Sequence, residues 1–250
     1  CDLRRHIQFN ARVETMTWDE DASCWTLGLQ SGETYRARFV VTCLGVLSQP
    51  TLPNFEGMDA FEGASYHSYW WPRDEISLEG KRVGVIGAGA TAIQIIPAIA
   101  DKVASLAVFQ RRPNWSTPLH NSEISDEEMD AIRARYDEIF ERCSLSPGGF
   151  EHTPDRRGFW TLSPEERRDY WEELYAQPGF AMLNSNFAEI FMDKAANKEL
   201  SDFVAEKIRQ RVHDPETAER LIPKDHGFGA QRLPLESGYF EAFNRPNVEL

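Results

Sequence analysis

The run Arg82-Val83-Gly84-Val85-Ile86-Gly87-Ala88-Gly89-Ala90-Thr91-Ala92 decides the fold. Its first five residues read as a buried strand, and Thr91 to Ala100 carries apolar residues at helical spacing. Between them lies G-x-G-x-x-A, after a strand and opening a helix, which is the context a dinucleotide turn requires. Gly87 permits the tight turn, Gly89 lets backbone approach a pyrophosphate, and the small Ala92 lets helix and strand pack closely. A helix N-terminus attracts phosphates, so Gly87, Gly89, Ala90, Thr91 and Ala92 are candidate cofactor-binding residues. The bland alternative is a plain tight turn. Ser105 to Phe109 reads as a second buried strand, and strand, helix and strand together make a βαβ unit.

The end of that second strand selects the dinucleotide. An NAD site places an acid there for the ribose hydroxyls, but Phe109-Gln110-Arg111-Arg112 offers none. A planar, permanent charge suits a 2′-phosphate, so Arg111 and Arg112 point to NADPH, against the alternative of a solvated surface pair.

Outward from this unit, His6 to Trp18 and Trp25 to Leu29 alternate apolar and polar residues around the turn Asp19-Glu20-Asp21. Ser31-Gly32-Glu33 makes a second turn, and Phe39-Val40-Val41-Thr42 reads as a short buried strand. Prolines 50 and 53 mark a linker. Beyond Ser122 the pattern turns helical. Ser125-Asp126-Glu127-Glu128 opens a helix through Met129, Ile132, Tyr136, Ile139 and Phe140. Ser163-Pro164-Glu165-Glu166 is a second capping box with proline at the first helical position. A third helix is expected near Ala195 to Val212, with Leu200, Phe203, Val204 and Ile208 on one face. These helices interrupt two pieces of α/β sequence, as an inserted lobe would. The final Asn247-Val248-Glu249-Leu250 reads as a strand just beginning, and with no initial methionine both ends read as cuts through a longer protein.

Composition excludes several classes. The net charge of −13 argues against nucleic acid or an anionic membrane as the main partner. No stretch reaches the ~20 apolar residues of a membrane span. Cys1, Cys24, Cys43 and Cys143 form no C-x-x-C pair and read as reduced thiols of a cytoplasmic protein. His67, His120, His152, His213 and His226 show no metal-ligand spacing, which argues against a metal hydrolase.

Before the glycine turn stands Phe61-Glu62-Gly63-Ala64-Ser65-Tyr66-His67-Ser68-Tyr69-Trp70-Trp71-Pro72. It fills F-x-G-x-x-x-H-x-x-x-W-P at Phe61, Gly63, His67, Trp71 and Pro72, and resembles the fingerprint of Baeyer–Villiger monooxygenases. One histidine among aromatics suits a hinge that couples two domains, with His67 in a positional role. Val40 to Pro50 is similar to a further family stretch, departing at Cys43 and Leu44. Phe228-Gly229-Ala230-Gln231-Arg232-Leu233-Pro234-Leu235 and Tyr239 to Arg245 resemble another. Arg232 falls on the family's catalytic arginine, and Gln231 on a lysine that helps bind the 2′-phosphate, a departure that Arg112 is placed to offset. The alternative for Arg232 is a structural pairing with Asp225 or Glu236.

The resemblance implies an α/β flavoprotein with two dinucleotide-binding domains. Residues 1–53 then form part of an FAD domain with an antiparallel meander, and 54–80 the fingerprint linker. Residues 81–121 form the Rossmann-like NADPH unit, 122–222 a helical insertion, and 223–250 the return to the NADPH domain. It further implies FAD and NADPH as cofactors, a small-molecule ketone and O2 as substrates, and an ester or lactone product by way of a C4a-peroxyflavin. Residues 1–80 contain no glycine fingerprint for FAD, so the isolated stretch is expected to be inactive. The rival readings are an oxygenase of soft nitrogen or sulfur nucleophiles, which has a different linker, and an NADP-binding module without catalysis.

Overall fold

A computed structural model describes residues 2–146 and 148–250 of the chain. They form two compact units, Cys1–Trp71 and Pro72–Leu250, whose boundary falls inside the fingerprint, between Trp71 and Pro72.

In the first unit, β1 (Val13–Asp19), β2 (Cys24–Leu29) and β3 (Thr34–Ala37) make an antiparallel meander. Trp18 lies opposite Trp25, with ring centroids 5.4 Å apart, so an aromatic cross-strand pair fixes the first hairpin. The expected strand from His6 does not form. Its partner β2 ends at Leu29 opposite Val13, and the residues before that have no ladder to join. The expected buried strand at Phe39–Thr42 is also absent, and Phe39 and Val41 are 82% and 83% exposed. Apolar composition alone does not make a strand: β3 stops at Ala37, and among the described residues, 39–42 pair with neither outer strand of the β1-β2-β3 sheet.

The second unit is built on a parallel sheet. β4 (Arg82–Ile86), α1 (Ala90–Ile99) and β5 (Ser105–Phe109) form the expected βαβ unit, and β8 (Val248–Glu249) adds beside β5. β4 is an edge strand whose alternate residues are exposed, rather than the buried strand its composition suggests. Ala92, Ile93, Ile96 and Ile99 turn one face of α1 inward against Leu106 and Val108 of β5 in one apolar core.

Both capping boxes form. Ser125 caps α2 (Asp126–Ala134), and Ser163 caps α4 (Pro164–Ala176). The single helix expected after Ser125 is two, because the backbone leaves helical geometry at Arg135 before α3 (Tyr136–Leu145) begins. Neither α2 nor α3 buries a residue, so no core holds them in one line. After the short α5 (Ala181–Asn184), Asp193 caps α6 (Lys194–Arg211), which buries the expected Leu200, Phe203, Val204 and Ile208. α7 (Pro215–Leu221) starts on an Asp214 cap, and α8 (Tyr239–Ala242) precedes β8. Two short strands, β6 (Thr117–Pro118) and β7 (Leu235–Glu236), pair in parallel. The helices from α4 onward share one core with the sheet. Each large apolar side chain fully buried there contributes about 1.5–3 kcal/mol.

Cys24, Cys43 and Cys143 are free thiols, and Cys1 lies outside the described residues. No helix among the described residues is long and apolar enough to cross a membrane.

A buried carboxylate ties α6 to the end of the chain. Glu236 is fully buried and accepts from Arg211 at 2.7 Å and from the Tyr239 backbone N–H at 3.0 Å. Arg211 also binds Glu241 through two nitrogens, at 2.6 and 2.8 Å. Burial works against its charge, but the carboxylates of Glu241 and Glu236 outweigh that and hold the guanidinium above its usual pKa. Arg211→Ala should therefore strand Glu236 and cost about 3–5 kcal/mol of stability. Urea unfolding with fluorescence detection measures it; a loss below about 1 kcal/mol would show the pair to be a surface-like contact.

Candidate cofactor and active site

The glycine turn closes on the C-terminal edge of the parallel sheet. Gly87 sits at φ +119°, a conformation that side chains strongly disfavour, and its N–H donates to the Phe109 carbonyl at 2.8 Å. That bond places Arg111 and Arg112, two and three residues on, beside the turn. A Cβ built on Gly89 would meet nothing within 4 Å, so no protein packing requires a glycine there. The open face is what a close-approaching ligand needs. Ser125, Ser163, Asp193 and Asp214 cap their helices with side chains, whereas α1 begins on Gly89 with no side-chain cap and no acid in its first turn. Its free N–H groups and positive dipole end suit a pyrophosphate. The residues fit NADP.

The two arginines part company. Arg112 is ion-paired with Asp225 at 3.0 Å, whereas Arg111 makes no hydrogen bond or ion pair among the described residues. Asp225 also binds His226 Nδ1 at 2.7 Å. The His226 bond, and after it Arg112, holds the Asp225 carboxyl below its usual pKa. A carboxyl depressed by folding keeps its contacts above its ordinary pKa and loses them as pH falls through the depressed value, so the Arg112 tie stands at neutral pH. Arg112 is thus engaged by protein where the sequence leaves both arginines open, and Arg111 is free to take a phosphate.

The segment carrying Gln231 and Arg232 is clamped from behind by α6. Asn197 Nδ2 donates to the Phe228 carbonyl at 2.8 Å, and Ser201 Oγ accepts from Phe228 N at 3.0 Å. Gly227 approaches so closely that an added Cβ would stand 1.9 Å from Asn197 Oδ1. Beyond this clamp, Gln231 and Arg232 line a cavity of 740 Å³ together with Ala90 and Gln94 of α1, Phe180 and Leu183. The Arg232 side chain makes no hydrogen bond or ion pair among the described residues. Both partners weighed for it are occupied elsewhere, Asp225 by Arg112 and Glu236 by Arg211.

Ala90, Gln231 and Arg232 are therefore brought to one cavity, with Gly87 and Gly89 in the turn just before α1. Gln94 is a lining residue the sequence reading missed, though its place four residues after Ala90 on one helix face could have found it. Phe180 and Leu183 come from far along the chain and had no local signal.

The fingerprint lies in and at the edge of the first unit. His67 Nδ1 accepts from Tyr69 N at 3.1 Å and caps a short 3-10 turn, with its ring 5.4 Å from that of Trp70. Tyr66 and Trp71 are 6.0 Å apart, and Tyr69 Oη donates to the Ser48 carbonyl at 2.9 Å. A Cβ on Gly63 would stand 2.5 Å from the exposed Phe61 ring, so a side chain there would displace the ring. Among the described residues no group of three or more His, Cys, Asp or Glu side chains could hold a metal.

Comparison with known proteins accords with this geometry. Residues 1–142 match the family model described as L-lysine 6-monooxygenase/L-ornithine 5-monooxygenase. The chain is 46% identical to 2-oxo-Delta(3)-4,5,5-trimethylcyclopentenylacetyl-CoA monooxygenase of Pseudomonas putida, over 100% of this chain and 47% of that protein. It is 41% identical to acetone monooxygenase (methyl acetate-forming) of Gordonia sp. (strain TY-5), over 99% of this chain and 46% of that protein. A crystal structure of OTEMO in complex with FAD and NADP superposes with a TM-score of 0.96 at 46% identity, covering 100% of this chain and 48% of that one. The fold is that of the class B flavoprotein monooxygenases. Within that class the chain belongs to the Baeyer–Villiger monooxygenases, and it spans about half the length of the curated relatives it matches.

If Arg111 reads the 2′-phosphate, Arg111→Ala should raise the KM for NADPH about ten-fold or more, since a charge-assisted hydrogen bond contributes about 1.5–3 kcal/mol. NADH, which lacks that phosphate, should hardly change. Arg112→Ala should affect NADPH less than Arg111→Ala does. Steady-state kinetics of both variants in the flavin-loaded protein decide this, and an equal loss for NADPH and NADH would make Arg111 structural.

Proposed function

We propose that the whole protein is an NADPH- and FAD-dependent monooxygenase. It inserts one oxygen atom of O2 beside the carbonyl of a small-molecule ketone, giving an ester or lactone. The observation that carries this reading is an unpaired arginine, Arg232, in the same cavity as the bare N-terminus of α1. The fingerprint from Phe61 to Pro72 supports it, with His67 ordering the linker at the boundary between two compact units.

In this reading residues 87–92 hold the coenzyme pyrophosphate, and Arg111 distinguishes NADPH from NADH. Gln231 lines the cavity without the charge that its family counterpart carries, so 2′-phosphate recognition rests on Arg111. Arg112 holds the segment in place through Asp225. Flavin, when bound, supplies the activation of O2. The first unit shows no glycine turn opening an α-helix among its described residues, so no step through the flavin is assigned to them. Arg232 offers a planar, permanently charged donor to the oxyanion that forms when the ketone carbonyl is attacked. The free thiols accord with a cytoplasmic enzyme. The matching family model, named for amine oxygenation, favours a second reading in which a nitrogen nucleophile replaces the ketone.

Arg232→Ala should lower ester formation about 100- to 1,000-fold while NADPH consumption partly survives, the usual effect of removing one preorganised charge donor. Lysine should rescue poorly, because a point charge lacks the planar fork. Product per NADPH oxidised, measured beside thermal stability, checks this. A stable, flavin-loaded variant that makes ester at the wild-type rate removes Arg232 from the mechanism. A hydroxylated amine formed in preference to an ester selects the second reading.

A further inference from the structure

Arg232 stands in a stretch, 231–234, that belongs to no helix or strand. Its guanidinium has no protein partner, so its position depends on what holds its backbone. That hold comes from a residue 118 positions away: Asn114 Nδ2 donates to the Arg232 carbonyl at 3.1 Å. Asn114 lies three residues beyond Arg111, on the segment leaving β5.

The other end of the same amide is informative. Asn114 Oδ1 is buried and has no hydrogen-bond partner among the described residues. A flipped amide would set this oxygen against the Arg232 carbonyl, acceptor facing acceptor, so the orientation follows from the bond itself. Burying an unpaired acceptor is unfavourable, and an apolar residue of similar size would avoid it. The bond to the Arg232 carbonyl is offset by the unpaired Oδ1, so what the asparagine supplies that an apolar residue cannot is a donor aimed at the Arg232 peptide.

We infer that Asn114 is a positioning residue for Arg232, and that it links the segment reading the coenzyme phosphate to the arginine facing the substrate. Arg111 and Arg232 are then separated by three residues and one hydrogen bond. A phosphate taken by Arg111 steadies the segment from which Asn114 holds the Arg232 peptide. Neighbouring ties keep the two segments in register, with Arg112 on Asp225 at 3.0 Å and Trp115 Nε1 donating to the His226 carbonyl at 3.0 Å. Thr117 N also donates to the Pro234 carbonyl at 3.4 Å, two residues on, but among these ties only that of Asn114 meets the Arg232 peptide. The inference rests on Arg232 acting on the reacting oxygen.

The test compares Asn114→Ala, Asn114→Asp, Arg232→Ala and the double variant Asn114→Ala/Arg232→Ala in the flavin-loaded protein. A displacement of about 1 Å at a reacting group costs up to about 100-fold, so each Asn114 variant should lower ester formed per NADPH consumed by about ten-fold or more. The KM for NADPH should stay within about two-fold, because the coenzyme ligands are untouched. Asp keeps the shape and loses the donor, so it should behave like Ala, and it carries the test should the Ala variant fail to fold. The double variant should be no worse than Arg232→Ala alone, since a residue acting through Arg232 has nothing left to place. Multiplying losses in the double variant, or Asn114 variants that keep wild-type product yield, would overturn the inference while leaving the role of Arg232 intact. An Arg232→Ala variant with full ester formation overturns that role itself, and the positioning of Arg232 with it.

Discussion

Two segments, 110–119 and 220–236, are fastened to each other, and the placement of Gln231 and Arg232 in the candidate site depends on that fastening. The fastening is polar. Gln110 Nε2 donates to the Arg220 carbonyl at 2.8 Å, Arg112 pairs with Asp225, and Asn114 reaches Arg232. Thr117 N then donates to the Pro234 carbonyl at 3.4 Å, and Leu119 N to that of Glu236 at 2.8 Å. The first segment inherits its position from β5, and hence from the glycine turn bonded to Phe109. The second is clamped by α6. The buried parts of each segment must satisfy their backbone groups somewhere, and each segment uses the other for part of that purpose. In the proposed reading, phosphate recognition and substrate chemistry share this seam, although Arg111 and Arg232 are more than a hundred residues apart in sequence.

The seam also shows where sequence reading stops. The β4–turn–α1 unit was legible because its signals are local: a strand, two glycines at fixed spacing, and an apolar helical face. The capping boxes at Ser125 and Ser163 were legible for the same reason, since cap and N3 residue lie on one turn. Arg232 and the residues from Phe61 to Pro72 were found through a family resemblance, which carries long-range information that spacing does not. What failed depended on partners. Phe39–Thr42 has a strand's composition and no partner strand among the described residues, and the run after Ser125 has a helix's periodicity and no core to hold it past Arg135. Asn114 carried no signal, and Asp225 was weighed for Arg232 rather than for Arg112, because a side chain's role in a seam is set by residues about 110–120 positions away.

In the proposed reading, charge gives the site its selectivity in a chain that is otherwise acidic. With 40 Asp and Glu against 27 Lys and Arg, any cation near a loop has carboxylates available to it. Arg112 and Arg211 are both claimed this way, by Asp225 and by Glu236 with Glu241. Arg111 and Arg232 are not claimed, although Asp225 and Glu236 lie close by in the sequence of the same segments. Asp225 and Glu236 are occupied by other arginines, which in the proposed reading leaves Arg111 and Arg232 for anions that arrive from outside. An anionic coenzyme approaching a chain of net charge −13 meets repulsion at long range, screened beyond about 8 Å at physiological salt. Within that distance, the exposed Arg111, the uncapped end of α1 and Arg232 would favour an anion. Arg112, by sequestering Asp225, helps preserve this preference. On this argument the structural arginine contributes to cofactor recognition without touching the cofactor.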